Sequence, residues 1–293
     1  MRPQDKSRIA DKWNKQASAS LIRANYWFYP QICGHFNKRV CGKPLPRVSD
    51  GLHARLEGIG TFEKAVSVGC GRATKEQDLL RRGIVENFDL FDLSDARLAD
   101  AEARYTAKGL ADRTRFNCSD AFASTPHETY DLVYWNSSLH HMQDTVAAVE
   151  WSWNVLKPGG LFAMFEFTGP TRWQWTDENL SYINRLRECL PERLLPKVDG
   201  KTQQRRRPSV EKMIRRDPSE AADSENILPA IARFFPDAEV IHLGGSIYNM
   251  GLNGALPNFE SDDTWIIDLM LLMDDILLDN GHSQHAVALG YKR

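Results

Sequence analysis

The chain has 293 residues, 42% hydrophobic and 26% charged, with a formal net charge of −2 at neutral pH. This balance excludes a disordered polypeptide and predicts one large α/β domain with additions, or two small domains. A charge so near zero gives no global field for capturing nucleic acid or an anionic membrane.

Residues 1–60 read as helices with loops and contain an aromatic cluster, NYWFYP (Asn25–Pro30). This segment is expected to form an N-terminal helical cap or lid, with the main domain over 61–293. From Thr61 to Phe167 strand-like and helix-like stretches alternate. KAVSVGC is a strand, TKEQDLLRRG a helix that stops at Gly83, and NFDLFDLS a second strand. DARLADAEARYTAKG is a helix, RTRFNCSD and YDLVYWNSS are strands three and four, and TVAAVEWSWNVL is a helix that breaks at Lys157–Gly160. LFAMFEF is a fifth strand. Such alternation specifies a parallel sheet covered by helices on both faces, with ligands outside the carboxyl ends of the strands.

Residues 169–235 are a charged insertion. Within it TDENLSYINRLRECL reads as a helix capped by Thr176, with Leu180, Ile183 and Leu186 on one face. DPSEAADS reads as a capping-box helix start, with Asp217 as N-cap, Pro218 in the first helical position and Glu220 in the third. AEVIHLGG and HAVALGYK are two further strands around WIIDLMLLMDDILL (Trp265–Leu278). That run is broken by Asp268, Asp274 and Asp275, so it is read as a buried helix and not a membrane span. The five cysteines are odd in number, widely spaced and without a CxxC pair. They indicate free thiols in a reducing cytoplasm, and no zinc or other metal site is expected. MRPQDKSRIADKWNK lacks an apolar core of signal-peptide length.

Strand one ends in Gly69-Cys70-Gly71 with no glycine at Thr74, which disfavours the dinucleotide fingerprint GxGxxG. Asp92 ends strand two about 20 residues beyond Gly71, where a carboxylate can accept both ribose hydroxyls. Asp120 and Ala121 follow strand three, beside an expected adenine, and Asn136 to His141 follow strand four. Either aspartate alone reads as a helix N-cap. The four strand ends together indicate an adenosine-containing ligand without a dinucleotide's diphosphate.

VSVGCGRA, FDLFDLSDARLADA, RFNCSDA, YDLVYWNSSLHHM and LKPGGLFAMFEF together resemble the class I S-adenosylmethionine-dependent methyltransferases. The resemblance implies a Rossmann-like sheet of seven strands, the last two an antiparallel hairpin at the edge. It implies S-adenosyl-L-methionine as cofactor, held by Gly69, Cys70, Gly71, Glu76, Asp92, Leu93, Asp120, Ala121, Asn136 and Ser138. Ser67 stands where an acidic residue usually precedes the glycines, and Ala73 stands at the usual third glycine; Glu76 or a backbone carbonyl is the substitute contact for the cofactor's amino group. NYWFYPQICGHFNKRVCG, FEFTGPTRWQWTDENLSYINRLRECLPERL and DPSEAADSENILP are further similar to a bacterial subfamily often associated with sugar or polysaccharide biosynthesis.

The expected chemistry is methylation of a hydroxyl on a small molecule or glycan. An alcohol must lose a proton, and His140 or His141, beside the expected methyl position, suits that task near neutral pH. Glu166 at the end of strand five would orient one imidazole. Alternatively one histidine packs and Glu166 holds loop backbone. Tyr26 and Trp27, and Arg172 with Trp173 and Trp175, are expected either to bind the acceptor or simply to pack. The basic run Lys197–Arg216 reads as a solvated face, since no aromatics interleave as RNA binding would want. Two other readings remain: an RNA or protein methyltransferase using that run, and a cofactor-binding module without catalysis.

Overall fold

The computed structural model describes residues 3–17, 25–124, 126–198 and 201–293. Its central sheet holds β1 (Phe62–Val68), β2 (Val85–Asp92), β3 (Thr114–Cys118), β4 (Tyr130–Asn136), β5 (Leu156–Phe167), β6 (Glu239–His242) and β7 (His285–Tyr291). Their spatial order is 3-2-1-4-5-7-6. The first five strands are parallel, and β7 runs antiparallel to both β5 and β6. This is the expected class I methyltransferase sheet. The last two strands pair at the edge without forming a tight hairpin, because a long helix lies between them.

Residues on β4 show why the sheet is buried on both faces. Leu132 and Tyr134 belong to one core, Val133 and Trp135 to the other, and all four are fully buried. The pleat sends alternate side chains to opposite faces, so a near-continuous apolar strand needs helices on each side. On one side pack α2 (Pro30–Cys41), α3 (Asp50–Ile59), α4 (Thr74–Arg81), α5 (Asp95–Thr106) and α10 (Thr264–Asp279). On the other pack α6 (Thr145–Val155) and α9 (Ile227–Phe234). Two more helices matter for the site: α1 (Pro3–Ala17) and α8 (Val210–Arg216). The insertion helix α7 (Asp177–Glu188) starts as expected, with Thr176 Oγ accepting from the Asn179 amide at 3.1 Å.

Three expectations are corrected. The helix stops before Lys157 as expected, but β5 begins at Leu156 and runs through Lys157–Gly160 instead of starting at Leu161. A Cβ on Gly160 would lie 2.9 Å from the Lys157 carbonyl, so only glycine passes this irregular stretch of strand. The α10 helix is not buried all round. Ile266, Ile267, Met270 and Leu271 face the core, but Trp265, Leu269, Leu272, Met273 and Ile276 are exposed. Its aspartates are not random interruptions: Asp275 pairs with His35 and Arg39, while buried Asp274 accepts from the Gly245 and Ile247 amides.

Asp217 does not start a helix. It ends α8, and Oδ1 accepts from Ser219 N (2.9 Å) and Ser219 Oγ (2.6 Å). That closes an Asx-type turn, a competing use of the same carboxylate. Ala221 then adopts a left-handed φ of 46°, incompatible with a helix there. The next α-helix is α9.

On β7, His285 is buried against Tyr26, whose hydroxyl lies 3.1 Å from Nε2. Burial, with help from the charge of His140, pushes its pKa down from 6.5 to about 3. A depressed folded value means that the neutral ring's contribution is present above pH 6.5 and lost as pH falls toward 3. Between pH 7 and pH 5 the wild type should therefore lose about 2 kcal/mol more stability than His285→Phe. Urea unfolding at the two pH values checks this, and parallel losses in both proteins would refute it.

Candidate active site at the carboxyl ends of the strands

The turn after β1 is shaped by backbone requirements. Gly69 has φ +68°, and a Cβ there would stand 3.1 Å from the Ser138 Cβ, so side chains are excluded on two counts. Ala73, at the expected third-glycine position, also has a left-handed φ of 48°. A non-glycine residue there costs roughly 1–2 kcal/mol. It is pinned by Tyr105, whose hydroxyl donates to the Ala73 carbonyl at 2.7 Å.

Asp92 closes the turn. Oδ2 accepts from Gly71 N (2.7 Å) and Oδ1 from Ser94 N (2.8 Å). Burial pushes its pKa up, while these two amides oppose the shift. Each oxygen keeps a second lone pair for a ligand. Asp120 takes up the expected capping role through Phe122 N (3.1 Å), and its other oxygen pairs with Lys6.

These groups surround a cavity of about 550 Å³. Of the expected cofactor residues, Gly69, Asp92, Leu93, Asp120, Ala121 and Ser138 line it; Cys70, Gly71, Glu76 and Asn136 do not. Asn136 turns its amide to Tyr134 (2.7 Å) and Ser49 (3.1 Å). Glu76 is buried with Oε1 accepting from Ser67 Oγ at 2.8 Å. Its Oε2 and the Ser138 hydroxyl have no partner among the described residues. Ser67, the departure from the acidic residue expected before the glycines, thus orients an acid on the neighbouring helix. Lys75 is also enclosed, donating to the Asn136 carbonyl at 2.8 Å. Burial lowers its pKa.

The cover over this cavity is α1, not the aromatic cluster. Ile9 and Trp13 lie on its inner face; Trp13 meets His141 edge-on at 5.3 Å and stacks under Arg97 at 4.2 Å. Lys6 pairs with Asp120, Lys12 with Asp217, and Asn14 accepts from Ser94 Oγ. Tyr26 instead enters the core beside Phe36, Tyr248 and His285, and Trp27 is 43% exposed away from the cavity.

Glu166 bonds both the loop backbone and an imidazole, the two partners weighed as alternatives for it. Oε1 accepts from Ser138 N (2.7 Å) and Leu139 N (2.8 Å), while Oε2 meets His140 Nδ1 at 2.7 Å. Burial would lower the His140 pKa, but the hydrogen bond and charge of Glu166, aided by Glu220, leave it raised. His141 lines the cavity and is pushed well below its usual pKa, first by burial and then by the neighbouring His140. The two rings lie 4.2 Å apart.

Arg172, Trp173 and Trp175 do not line the cavity. The Arg172 guanidinium donates to the Pro218 (2.8 Å) and Glu220 (2.9 Å) carbonyls, fixing the turn that carries Glu220. Trp173 and Trp175 stack on each other at 6.1 Å, the latter against the core. Two arginines of the basic run are tied into the fold: Arg205 bonds the Met250 and Asn253 carbonyls, and Arg207 pairs with Asp177. Glu220, Ser219, Lys12 and Trp13 reach the site unforeseen. The one sequence signal is the carboxylate-rich DPSEAADS, which by its spacing reads as a helix start.

Residues 66–164 match the profile of the methyltransferase domain. The chain is 24% identical over 176 residues to malonyl-[acyl-carrier protein] O-methyltransferase 1 of Ilyobacter polytropus, covering 60% of each. It is 28% identical over 128 residues to 27-O-demethylrifamycin SV methyltransferase of Amycolatopsis mediterranei, covering 41% of this chain and 44% of that one. The matches thus span less than two thirds of these relatives' lengths. The fold superposes along the whole chain on geranyl diphosphate C-methyltransferase from Streptomyces coelicolor A3(2), solved with Mg2+, geranyl diphosphate and S-adenosyl-L-homocysteine. That comparison has a TM-score of 0.60 at 15% identity and covers 98% of the other chain. Residues 66–164 thus match a methyltransferase domain, and the chain as a whole has the class I S-adenosylmethionine-dependent methyltransferase fold.

The cavity fits the cofactor that such a domain takes. Its volume is in the range of small-ligand sites. Asp92 offers carboxylate lone pairs and Gly69 allows close backbone approach, whereas the orphaned Glu76 Oε2 is enclosed outside the cavity lining. Removing the Asp92 charge leaves two ligand hydroxyls without an ionised partner. Asp92→Ala should therefore weaken S-adenosylhomocysteine binding roughly 10- to 100-fold. Calorimetric titration of the folded variant checks this, and unchanged affinity would remove Asp92 from the site.

Proposed function

We propose that this protein methylates a hydroxyl group of a small molecule, glycan hydroxyls included, in a reducing cytoplasm. The observation that carries the reading is the buried Glu166–His140 pair standing against His141 on the cavity wall. The bound cofactor supplies an electrophilic methyl group on a sulfonium. Asp92 and Asp120 would hold its adenosine end, and the enclosed, orphaned Glu76 Oε2 is the acid assigned to the ammonium of its amino-acid end. The α1 helix excludes water from the cavity. Holding an acceptor in line contributes most of the rate, and a base adds roughly 10²–10⁴-fold.

His140 is the stronger base of the two because Glu166 supports its charged form; His141 shapes the wall. Two relatives bear O-methyltransferase-type names, which supports an oxygen acceptor. The five cysteines, all free thiols, suit a reducing compartment, and no helix among the described residues is long and apolar enough to cross a membrane. Engagement of Arg205 and Arg207 within the fold argues against an RNA-binding stripe. Trp173 and Trp175 lie outside the cavity, so the acceptor class rests on the histidine corner and not on a sugar platform.

A screen with methyl-labelled cofactor against hydroxyl, amine and carbon acceptors, and bulk RNA, tests the reading. Label should pass to a hydroxyl compound and not to RNA. Transfer confined to amines, carbon acids or RNA would overturn it.

A further inference from the structure

The histidine corner holds one more acid than proton transfer requires. Glu220, on the turn fixed by Arg172, places Oε1 3.8 Å from His140 Nε2, too far for a hydrogen bond. One ring nitrogen of each histidine and one Glu220 oxygen lie within 4.8 Å of one another.

The tautomers follow from the surrounding bonds. Glu166 Oε2, a carboxylate oxygen, accepts at 2.7 Å from His140 Nδ1, which therefore carries hydrogen. Ser219 Oγ spends its own hydrogen on Asp217 Oδ1 at 2.6 Å. It is left to accept from His141 Nδ1 at 3.2 Å, so that nitrogen carries hydrogen as well. Each neutral ring then presents a bare Nε2 lone pair. An imidazole whose far N–H is tied to a carboxylate or hydroxyl is the arrangement that orients metal-ligating histidines.

We propose that His140 Nε2, His141 Nε2 and the Glu220 carboxylate bind a divalent first-row transition ion. Two imidazoles and a carboxylate favour Zn2+, Co2+, Fe2+ or Mn2+ over Mg2+ or Ca2+, which prefer all-oxygen shells. Metal–ligand bonds of about 2.0–2.2 Å require the three side chains to close on the ion by roughly an ångström. Three protein ligands leave coordination positions open. This rests on the hydroxyl-transfer reading: an open position would take the acceptor oxygen, while in the metal-free protein His140 remains the base.

The test uses the full chain, stripped with a chelator and titrated with Co2+ while its visible absorption is followed. Zn2+ competition and an S-adenosylhomocysteine titration are run on the same samples. One Co2+ per chain is expected, displaced by Zn2+, with affinity at least about 10-fold weaker in Glu220→Gln and in His141→Ala. Thermal melts by circular dichroism verify that each variant is folded, and either folded variant suffices. Absence of saturable Co2+ binding, or wild-type affinity in a folded variant, overturns the ion site. If cofactor binding persists in that case, the ion alone is lost; if the metal-free wild type binds no S-adenosylhomocysteine, the functional reading fails instead.

Discussion

Glu166→Ala should unfold more easily than the wild type by about 3–5 kcal/mol, the usual loss when one partner of a buried charged pair is removed. The carboxylate is fully buried at the end of β5 and ties that strand to the loop after β4 through the Ser138 and Leu139 amides and the His140 ring. Truncation leaves those donors in a dry site with nothing to accept from them, and each buried orphan costs roughly 1–3 kcal/mol. Glu166→Gln keeps one accepting oxygen and the shape, so it should lose about 1–3 kcal/mol. Urea unfolding curves for the three proteins give these differences directly. A Glu166→Ala midpoint close to that of the wild type would mean that the loop is held by something else.

The largest kinetic effect is expected at His140. With an acceptor from the screen, His140→Ala should lower turnover roughly 10²- to 10⁴-fold while S-adenosylhomocysteine affinity stays near the wild-type value. The loss belongs to kcat because the ring acts on the acceptor's proton. Glu166→Gln should fall between His140→Ala and the wild type, since it weakens support for charge on the ring without removing it. His141→Ala tests the wall: it should raise KM for the acceptor more than it lowers kcat. Near-normal turnover in both His140→Ala and Glu166→Gln would show that proximity alone drives the transfer, as with an acceptor that is already deprotonated.

The sheet was legible because its signals are local. An apolar strand ending in glycines, an acidic residue ending the next strand and a helix-capping threonine at 176 are each decided within a few residues. The six cavity-lining cofactor residues share that property, since all sit at strand ends that the topology brings to one edge. What failed depended on distant partners. Asp217 has the spacing of a capping box, yet its carboxylate closes a turn on Ser219 and pairs with Lys12 at the other end of the chain. Nothing near residue 217 announces that lysine. The same holds for Glu220, which reaches His140 only because Arg172 grips its turn from a remote segment.

The aromatic cluster shows the converse. NYWFYP has the composition of a lid, but Tyr26 finds a buried hydrogen-bond partner in His285 and is drawn into the core. The sparse Ile9 and Trp13, four apart on a charged helix, became the cover. The stretch at 205–207 reads as a basic surface by composition, whereas two of its three arginines bind carbonyls or a carboxylate of the fold. Composition cannot separate a solvated cation from one used as a strut.

The four strand ends build a site suited to S-adenosylmethionine and not to a dinucleotide. Calorimetric titration of the full-length wild type with S-adenosylhomocysteine, and separately with NAD, tests it most directly. One molecule of S-adenosylhomocysteine should bind per chain with saturable heat, and NAD should neither bind nor compete. Saturable NAD binding, or no heat with S-adenosylhomocysteine in a folded protein, would contradict it.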